Sequence, residues 1–363
     1  MKRFLCFLLF LFYLRAFSQE AIEFQNLFYT NPTDSIACYR IPALVTAPNG
    51  DLLAAIDERV PSCNDLRDNA DINIVLRRST DHGATWLPMQ RIIDFPWGKS
   101  ASDPSFIVDQ QTGEIFLFYN FMDLVQEKNI YYFHVVSSTD NGNSWSKTRD
   151  VTSQISKEEW RNDFKFITSG RGIQTDSGSL LHTMVHLEKG VFVFGSHDHG
   201  ENWFLWDNAL SPGDESKIVE LADGRFLVNS RVNGSGIRYH HISDNQGVSW
   251  YTEAVKELSD PSCNASMLRI PMEGGNGTDI LLFSNPKSVT ERKRLCIRAS
   301  RDNGKTWSEG KTIYDGPAAY SSMTRIANDA IGILFEKDRY TENVFAKLPL
   351  KWLLEEDNLD IDE

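Results

Sequence analysis

An octapeptide pattern, Ser-x-Asp-x-Gly-x-x-Trp, recurs along the chain and constrains its fold more than any other feature. Five copies, whose starts lie 47 to 59 residues apart, begin at Ser79, Ser138, Ser196, Ser243 and Ser300. The fourth copy carries Asn245 in place of the aspartate. A short run of β-type residues precedes each copy. Self-similarity at such a period indicates an architecture of repeated supersecondary units.

The repeat has the chemistry of a hairpin corner. Ser and Asp side chains can bond the backbone amides of their own turn, Gly permits positive φ, and Trp is expected to pack beneath the sheet. Residues 19–363, divided by six, give roughly 57 residues per unit, which suits a four-stranded propeller blade with long loops. A late strand over 330–336 would belong to a sixth, unmarked blade. The pattern predicts an all-β, six-bladed β-propeller.

The N-terminus is typical of an export signal. Met1-Lys2-Arg3 precedes an apolar run over 4–14, and Ala16-Phe17-Ser18 offers a small-x-small cleavage site. The apolar run is too short to span a bilayer as a helix. We therefore expect residues 1–18 to be removed. Residues 19–363 would then form one secreted or periplasmic propeller domain with no stable membrane insertion.

Charge and cysteine spacing limit the possible ligands. The net charge of −13 argues against nucleic acid, because phosphate binding needs a basic face. An anionic ligand would need a local cluster of arginines. Cys38, Cys63, Cys263 and Cys296 lack the spacing of a zinc or iron–sulfur site, and the sequence leaves their disulfide state open. The histidines show no ligand spacing either, so no metal or cofactor is expected.

The repeats occur together with Tyr39-Arg40-Ile41-Pro42 near the start of the mature chain. In this combination they resemble the sialidase (neuraminidase) family of bacteria and animals, in which the repeats are called Asp-boxes. The resemblance covers about residues 28–338. It implies an exo-α-sialidase that hydrolyses terminal α-linked sialic acid from glycoproteins, glycolipids or oligosaccharides.

A sialic acid substrate requires a cationic clamp, because it carries a carboxylate on its anomeric carbon. Guanidinium groups are always charged and bind carboxylates through a planar fork. Three arginines occur in contexts that resemble the family's arginine triad, namely Arg40, Arg231 and Arg292. Arg238 competes with Arg231 for this role, and Arg294 competes with Arg292.

The resemblance also implies a tyrosine nucleophile. A carboxylate nucleophile would be repelled by the substrate's own carboxylate, and sialidases are an exception to the usual pair of carboxylates. Tyr320 resembles the family's nucleophile and Glu215 the base that accepts its proton. A base is needed because a free phenol has a pKa near 10. The implied reaction is a retaining hydrolysis through a tyrosyl-enzyme intermediate.

The remaining catalytic role is that of the acid/base. Asp65, six residues after Arg59, resembles the family's aspartate that protonates the leaving oxygen and then activates water. Asp68 and Asp71 are rivals for this role. Asp71 begins an alternating strand and is better explained as structural.

Four further residues have supporting roles by the same resemblance. Arg59 and Asp103 resemble residues that contact substrate hydroxyls. Glu336 resembles the carboxylate that orients Arg40, and Asp57 is expected to line the same pocket.

Other functions share parts of this pattern. A non-catalytic propeller that binds sialosides would keep the arginines but would not need Tyr320 or Glu215. A structural Asp-box propeller would make Arg40 dispensable. A trans-sialidase would differ from a hydrolase only in whether a sugar hydroxyl or water intercepts the intermediate.

Overall fold

The computed structural model describes residues 22–31, 35–272, 279–327 and 330–355. The export signal predicted for residues 1–18 lies outside them. Within these ranges, no helix has both the length and the apolar character needed to cross a membrane. The described helical segments are the short helices α1 (Thr152–Ile155) and α2 (Leu350–Leu354) and 3-10 turns at Leu66–Asp68 and Glu158–Trp160.

Strands make up most of the described chain. In chain order they are β1 (Gln25–Tyr29), β2 (Cys38–Thr46), β3 (Leu52–Val60), β4 (Asp71–Ser79), β5 (Gln90–Ile93), β6 (Lys99–Val108), β7 (Ile115–Asp123), β8 (Tyr132–Ser138), β9 (Arg149–Asp150), β10 (Lys165–Ile167), β11 (Gly170–Arg171), β12 (Ile173–Gln174), β13 (Leu180–His186), β14 (Gly190–Ser196), β15 (Phe204–Leu205), β16 (Ser216–Glu220), β17 (Phe226–Ser230), β18 (Ile237–Ser243), β19 (Tyr251–Ser259), β20 (Ser266–Ile270), β21 (Ile280–Pro286), β22 (Lys293–Ser300), β23 (Lys311–Ile326), β24 (Ala330–Lys337) and β25 (Glu342–Pro349).

These strands form six antiparallel blades. Blades one and four are the sheets β2-β3-β4-β5 and β16-β17-β18-β19. Blade two is β6-β7-β8-β9 with β11 added in parallel, and blade three is β10-β13-β14-β15 with β12 paired to β13. Blade five contains β20, β21 and β22, and blade six contains β24 and β25. The predicted six-bladed propeller is confirmed, including the late strand, which is β24.

The long strand β23 belongs to two blades. Its first half pairs with β22 and its second half with β24, so it joins blades five and six into one seven-stranded sheet. The N-terminal strand β1 then pairs with β25 and completes blade six from the opposite end of the chain. The ring is therefore closed by hydrogen bonds between its first and last strands, which leaves fewer open sheet edges.

The six largest clusters of the hydrophobic core each lie between neighbouring blades. The Asp-box tryptophans lie in these clusters, between their own blade and the preceding one, rather than beneath a single sheet. Trp86, at the end of blade one, packs edge-on against Phe345 of blade six with ring centroids 5.1 Å apart. The repeats therefore stabilise the contacts between blades as well as the turns within them.

The first Asp-box shows why the pattern forms a tight corner. Ser79 Oγ donates to Asp81 Oδ1 at 2.8 Å and accepts the backbone N–H of Gly83 at 2.8 Å. Asp81 Oδ1 also accepts the N–H of Thr85 at 2.8 Å. In the fourth copy Asn245 Oδ1 makes the corresponding bond with the N–H of Ser249 at 2.9 Å. An amide oxygen therefore replaces the carboxylate without loss of the turn.

Candidate active site

A cavity of about 440 Å³ lies where all six blades meet on one face of the propeller. Each blade contributes at least one side chain to its wall, so the cavity lies on the axis of the ring. Seven of the ten predicted site residues line it: Arg40, Asp65, Asp103, Glu215, Arg231, Arg292 and Tyr320. The other three, Asp57, Arg59 and Glu336, lie behind this wall as buried neighbours of lining residues.

Irregular backbone aims two of these residues at the axis. The register of β2 against β3 shifts between Arg40 and Ala43, where Ile41 has a φ of 66°. Positive φ is a genuine outlier for a β-branched residue. The register of β6 shifts at Asp103, which has a φ of 62° and, like Ile41, precedes a proline. Such bulges re-aim side chains next to functional sites.

Tyr320 and Glu215 are in direct contact, as predicted. The phenol of Tyr320 donates a hydrogen bond to Glu215 Oε2 at 2.7 Å, although the two residues are 105 positions apart. Arg231 Nη1 bonds the same carboxylate oxygen and also donates to the Tyr320 oxygen at 3.2 Å. Tyr320 lies on β23, Glu215 directly before β16 and Arg231 directly after β17. A phenol, a carboxylate and a guanidinium therefore share one buried contact.

Burial controls the protonation of this group. Burial, followed by the negative charge of Glu215, raises the pKa of Tyr320 well above its usual value. Burial also raises the pKa of Glu215, against the opposing effect of Arg231. The phenol is therefore neutral in the resting site. Glu215 is the hydrogen-bond acceptor to which its proton can pass.

Glu336 connects Arg40 to the backbone of the tyrosine. Its Oε1 accepts Arg40 Nε at 2.6 Å and the backbone N–H of Ile41 at 2.9 Å. Its Oε2 accepts the backbone N–H of Tyr320 at 3.1 Å. Glu336 is fully buried on β24 and Arg40 nearly so. Burial opposes the charge of Arg40, but the attraction of Glu336 raises the pKa of the guanidinium above its usual value. The geometry agrees with the orienting position predicted for Glu336.

Tyr340 is a site residue that sequence reasoning missed. Its ring lies 3.9 Å from the Arg40 guanidinium carbon, and its hydroxyl accepts Arg292 Nη1 at 3.2 Å. Arg292 also donates to the carbonyl of Ser262 at 2.8 Å. A tyrosine in the turn between β24 and β25 gives no local signal of this role. Its position four residues after Glu336 is the feature that could have drawn attention to it.

Arg59 holds the loop that carries Asp65. Its Nη1 donates to Asp65 Oδ1 at 2.7 Å and to the carbonyls of Cys63 at 2.9 Å and Asn64 at 3.2 Å. Nε and Nη2 donate to Asp57 Oδ2. The side chain is 1% exposed, whereas Asp65 is 86% exposed. Arg59 thus lies one layer behind the cavity surface, and the substrate contact predicted for it stays a prediction.

Asp57 and Asp103 are two neighbouring acidic residues, Asp103 in the cavity wall and Asp57 behind it. Asp57 accepts the hydroxyl of Ser102 at 2.7 Å and the backbone N–H of Asp103 at 2.9 Å, in addition to Arg59. Burial raises the pKa of Asp57 to about 6, against the opposing effect of Arg59 and of these hydrogen bonds. Burial, followed by the charge of Asp57, raises the pKa of Asp103 well above its usual value. Asp103 is therefore the member of the pair that holds a proton more readily.

Three of the four rival residues lie outside the cavity wall. Arg238 is fully buried behind the site, where it bonds Asn229 at 2.7 Å, and Arg294 is exposed and paired with Asp315 at 3.0 Å. Neither lines the cavity, and neither does Asp71, which instead accepts a hydrogen bond from Asn73 at 3.1 Å. Asp68 does line the cavity together with Asp65.

The cavity has an apolar side that the sequence did not reveal. Part of its wall is formed by Leu66, Tyr131, Phe164, Phe166 and Leu187, and the guanidinium carbon of Arg67 lies 6.0 Å from the centre of the Phe164 ring. These residues come from loops and strand ends in blades one, two and three. No motif marks them, because single aromatic and aliphatic residues of this kind are common in buried positions. The cavity wall therefore combines an apolar stretch with charged side chains of both signs.

Comparisons with known proteins agree with this architecture. A family model described as a BNR repeat-like domain matches residues 50–333. The sialidase of Micromonospora viridifaciens is 35% identical over 89% of the chain, and that of Bacteroides fragilis is 29% identical over 84%. The chain spans only 53% and 60% of the lengths of these two relatives.

A solved structure agrees with the sequence relatives. The Hadza microbial sialidase Hz136 superposes with a TM-score of 0.78 at 29% identity, covering 87% of this chain and 66% of that one. The family model thus matches the repeats, and the solved structure matches the fold. The chain belongs to the family of BNR repeat-like domain proteins.

Proposed function

We propose that this protein is a retaining exo-α-sialidase that releases terminal sialic acid from glycans. The observation that carries the proposal is the 2.7 Å hydrogen bond from Tyr320 to Glu215 inside a cavity whose wall includes Arg40, Arg231 and Arg292. A binding protein would need the arginines alone. A buried phenol paired with a carboxylate adds the elements of nucleophilic catalysis.

The arginines supply the binding step. Arg40 and Arg292 lie with their guanidinium carbons 5.7 and 5.3 Å from the centre of the Tyr320 ring, and Arg231 bonds its hydroxyl. A sialic acid carboxylate held by these groups would lie directly above the phenol. Arg40 and Arg231 are each paired with a buried glutamate. Among the described residues Arg292 has no carboxylate partner, and it would contribute the least compensated positive charge.

The phenol supplies the nucleophile. As the phenol oxygen attacks the anomeric carbon, its proton passes to Glu215. The bond between the anomeric carbon and the glycosidic oxygen breaks on the opposite face. The neutral phenol avoids the repulsion that a carboxylate would meet beside the substrate's own carboxylate. Arg231 donates to the same oxygen and stabilises the negative charge that develops there.

Asp65 completes the cycle as the acid/base. It is exposed to the cavity and would protonate the leaving glycosidic oxygen, then deprotonate the water that hydrolyses the tyrosyl intermediate. Asp103, which faces the same cavity, would bond a substrate hydroxyl. Glu336 and Asp57 would orient Arg40 and Arg59 without touching substrate.

Hydrolysis of an α-sialoside followed by NMR tests the proposal. Release of the α-anomer as the first product is expected, because two displacements at the anomeric carbon retain configuration. Tyr320→Phe should lose activity while keeping its fold and its affinity for a sialoside. Full activity of that variant, or binding without turnover by the wild-type protein, would refute the assignment. The second outcome would identify a sialoside-binding propeller instead.

We also propose that the protein is exported and that residues 19–363 form one propeller domain. The sequence of residues 1–18 supports export, and so does the disulfide between Cys38 and Cys63, a bond that persists in oxidising compartments. N-terminal sequencing of the protein recovered from the producing cell tests this. The expected first residue is Gln19, and an uncleaved N-terminus in the cytoplasm would contradict it.

A further inference from the structure

The loop that carries Asp65 is fastened to one rung of the first blade. Cys38 of β2 and Arg59 of β3 are direct partners across the strand ladder. The Cys38 sulfur is bonded to the sulfur of Cys63, and Arg59 donates to the carbonyls of Cys63 and Asn64. The disulfide and the Arg59 guanidinium therefore start from paired positions on adjacent strands and hold the same loop segment.

This tie joins the two halves of the proposed site. Cys38 lies two residues before Arg40, and Cys63 lies two residues before Asp65. The tie thus links the strand that would hold the substrate carboxylate to the loop that would protonate the leaving group.

The Asp65 loop is exposed at residues 63–65 and anchored on either side of them. Apart from Arg59, Asn69 Nδ2 donates to the carbonyls of Ser62 at 2.7 Å and Asn64 at 3.3 Å, and the N–H of Asp68 donates to the carbonyl of Asp65 at 2.9 Å. The next residue, Leu66, is buried in a cluster with Met122 and Tyr131. The exposed side chains of residues 63–65 add no buried packing of their own, so the position of this segment depends on these attachments. The disulfide is the covalent part of what holds it.

We infer that the Cys38–Cys63 disulfide positions Asp65 for proton transfer to the leaving group. The inference rests on the proposed function. Cys38 and Cys63 act through Asp65 and are positioning residues. General acid catalysis requires the acid within hydrogen-bond reach of the departing oxygen, and its contribution is roughly 10²–10⁴-fold. A loop that is free to move would forfeit much of that factor.

This role has a signature that simple stabilisation lacks. A leaving group with a low pKa, such as 4-nitrophenol, departs without protonation, whereas the alkoxide of lactose needs the acid. Loss of an acid's position therefore slows a sialyl-lactose substrate and spares an aryl sialoside. A general loss of structure would slow both substrates equally.

The test compares kcat/KM on 3′-sialyllactose and on 4-nitrophenyl α-sialoside in Cys38→Ala/Cys63→Ala. Its matched control is Cys296→Ala, which removes a buried free thiol of β22 outside the cavity. We expect the double variant to lose at least tenfold more on sialyllactose than on the aryl substrate, and the control to keep the wild-type ratio. An equal loss on both substrates, or no loss, would overturn the inference.

A double-mutant cycle with Asp65→Ala separates positioning through Asp65 from any other effect. Residues that act through one group show non-additive changes. Once Asp65 is removed, removal of the disulfide should leave the ratio of the two activities unchanged. A further fall of the ratio in the triple variant would assign the disulfide's effect to another residue.

Reduction of the wild-type protein provides the same comparison if the double variant does not fold. Dithiothreitol gives two electrons and two protons to the S–S bond, which becomes two thiols, and closes to its own cyclic disulfide. Cys63 is exposed, so the reagent has access to the bond. Alkylation and mass spectrometry would verify the reduction. An unchanged ratio after complete reduction would overturn the inference, whereas wild-type protein that hydrolyses neither substrate would instead refute the proposed function.

Discussion

Glu336 joins Arg40 to the backbone of the proposed nucleophile, because one carboxylate oxygen accepts Arg40 Nε at 2.6 Å and the other accepts the N–H of Tyr320 at 3.1 Å. The Glu336 carboxylate is fully buried and lies on β24, which pairs with β23, the strand that carries Tyr320. It therefore sets the distance between the substrate clamp and the phenol. A residue that touches no substrate can in this way control both binding and chemistry.

Replacement of Glu336 by glutamine should lower stability and activity together. The amide lacks the charge that compensates Arg40, and its NH₂ group would face backbone donors. Breaking a buried ion pair by removing one partner costs about 3–5 kcal/mol. Denaturant unfolding and kcat/KM should both show the loss. Glu342→Gln, which removes a half-exposed partner of Lys337, is the control and should cost less than about 1 kcal/mol. Equal effects of the two variants would contradict the role given to Glu336.

Much of the fold could be predicted because its signal is local. Each Asp-box contains the serine, the glycine and the aspartate or asparagine that form its corner. Five of the blades can therefore each be recognised from a single eight-residue motif. The pairing of Tyr320 with Glu215 is not local in this sense. It followed from the resemblance to a family, since nothing within either segment specifies a partner 105 residues away.

The features that escaped prediction depend on how separate blades meet. Tyr340 contacts Arg40 from blade one and Arg292 from blade five, and only the closed ring brings these three together. The Cys38–Cys63 bond depends on the register of β2 against β3 and on the course of the loop beyond β3. Spacing along the sequence carries neither kind of information.

The Asp-box glycine should be required for two separable reasons. Gly83 has a φ of 85°, and a Cβ there would lie 2.6 Å from the ring of Phe345 in blade six. Gly113 has a similar φ of 82° and nothing within 4 Å of such a Cβ. Gly113→Ala should therefore cost the left-handed strain alone, about 1–2 kcal/mol. Gly83→Ala should cost a further 1–3 kcal/mol, roughly the usual penalty of overpacking. Equal losses in urea unfolding would show that blade closure tolerates the methyl group.

The buried Lys217 should make the free energy of unfolding depend on pH, and replacement of Lys217 should remove that contribution. It is buried on β16 with its Nζ bonded to Asn264 Oδ1 at 2.7 Å. Burial, partly offset by the charge of Glu215, lowers the pKa of Lys217 from 10.5 to about 7. Between these values the unfolded chain binds the proton and the folded chain does not. The wild-type protein therefore loses stability as pH falls through this window, by up to about 1.4 kcal/mol per pH unit.

Lys217→Met removes this group while keeping the length of the side chain. The stability of the variant minus that of the wild type should be smallest near pH 10 and should rise as pH falls towards 7, below which it levels off. Urea unfolding at a series of pH values measures the difference. The exposed Lys189→Met is the control and should give a difference that does not vary with pH. A flat difference for Lys217→Met would contradict the shifted pKa.

Arg292 should be the arginine whose loss most selectively weakens substrate binding. Arg40 and Arg231 each neutralise a buried glutamate, so their removal leaves an unpaired buried charge and destabilises the fold. Arg292 contacts a neutral hydroxyl of Tyr340 and a carbonyl of Ser262. In Arg292→Met these groups lose at most one hydrogen bond each, while the substrate carboxylate loses a charge-assisted bond worth about 1.5–3 kcal/mol. We therefore expect KM to rise by about 10- to 150-fold with little change in the unfolding midpoint, whereas Arg40→Met should lower both affinity and stability. If Arg292→Met instead lowers stability and leaves KM nearly unchanged, the substrate carboxylate does not rely on Arg292, the arginine that has no carboxylate partner among the described residues.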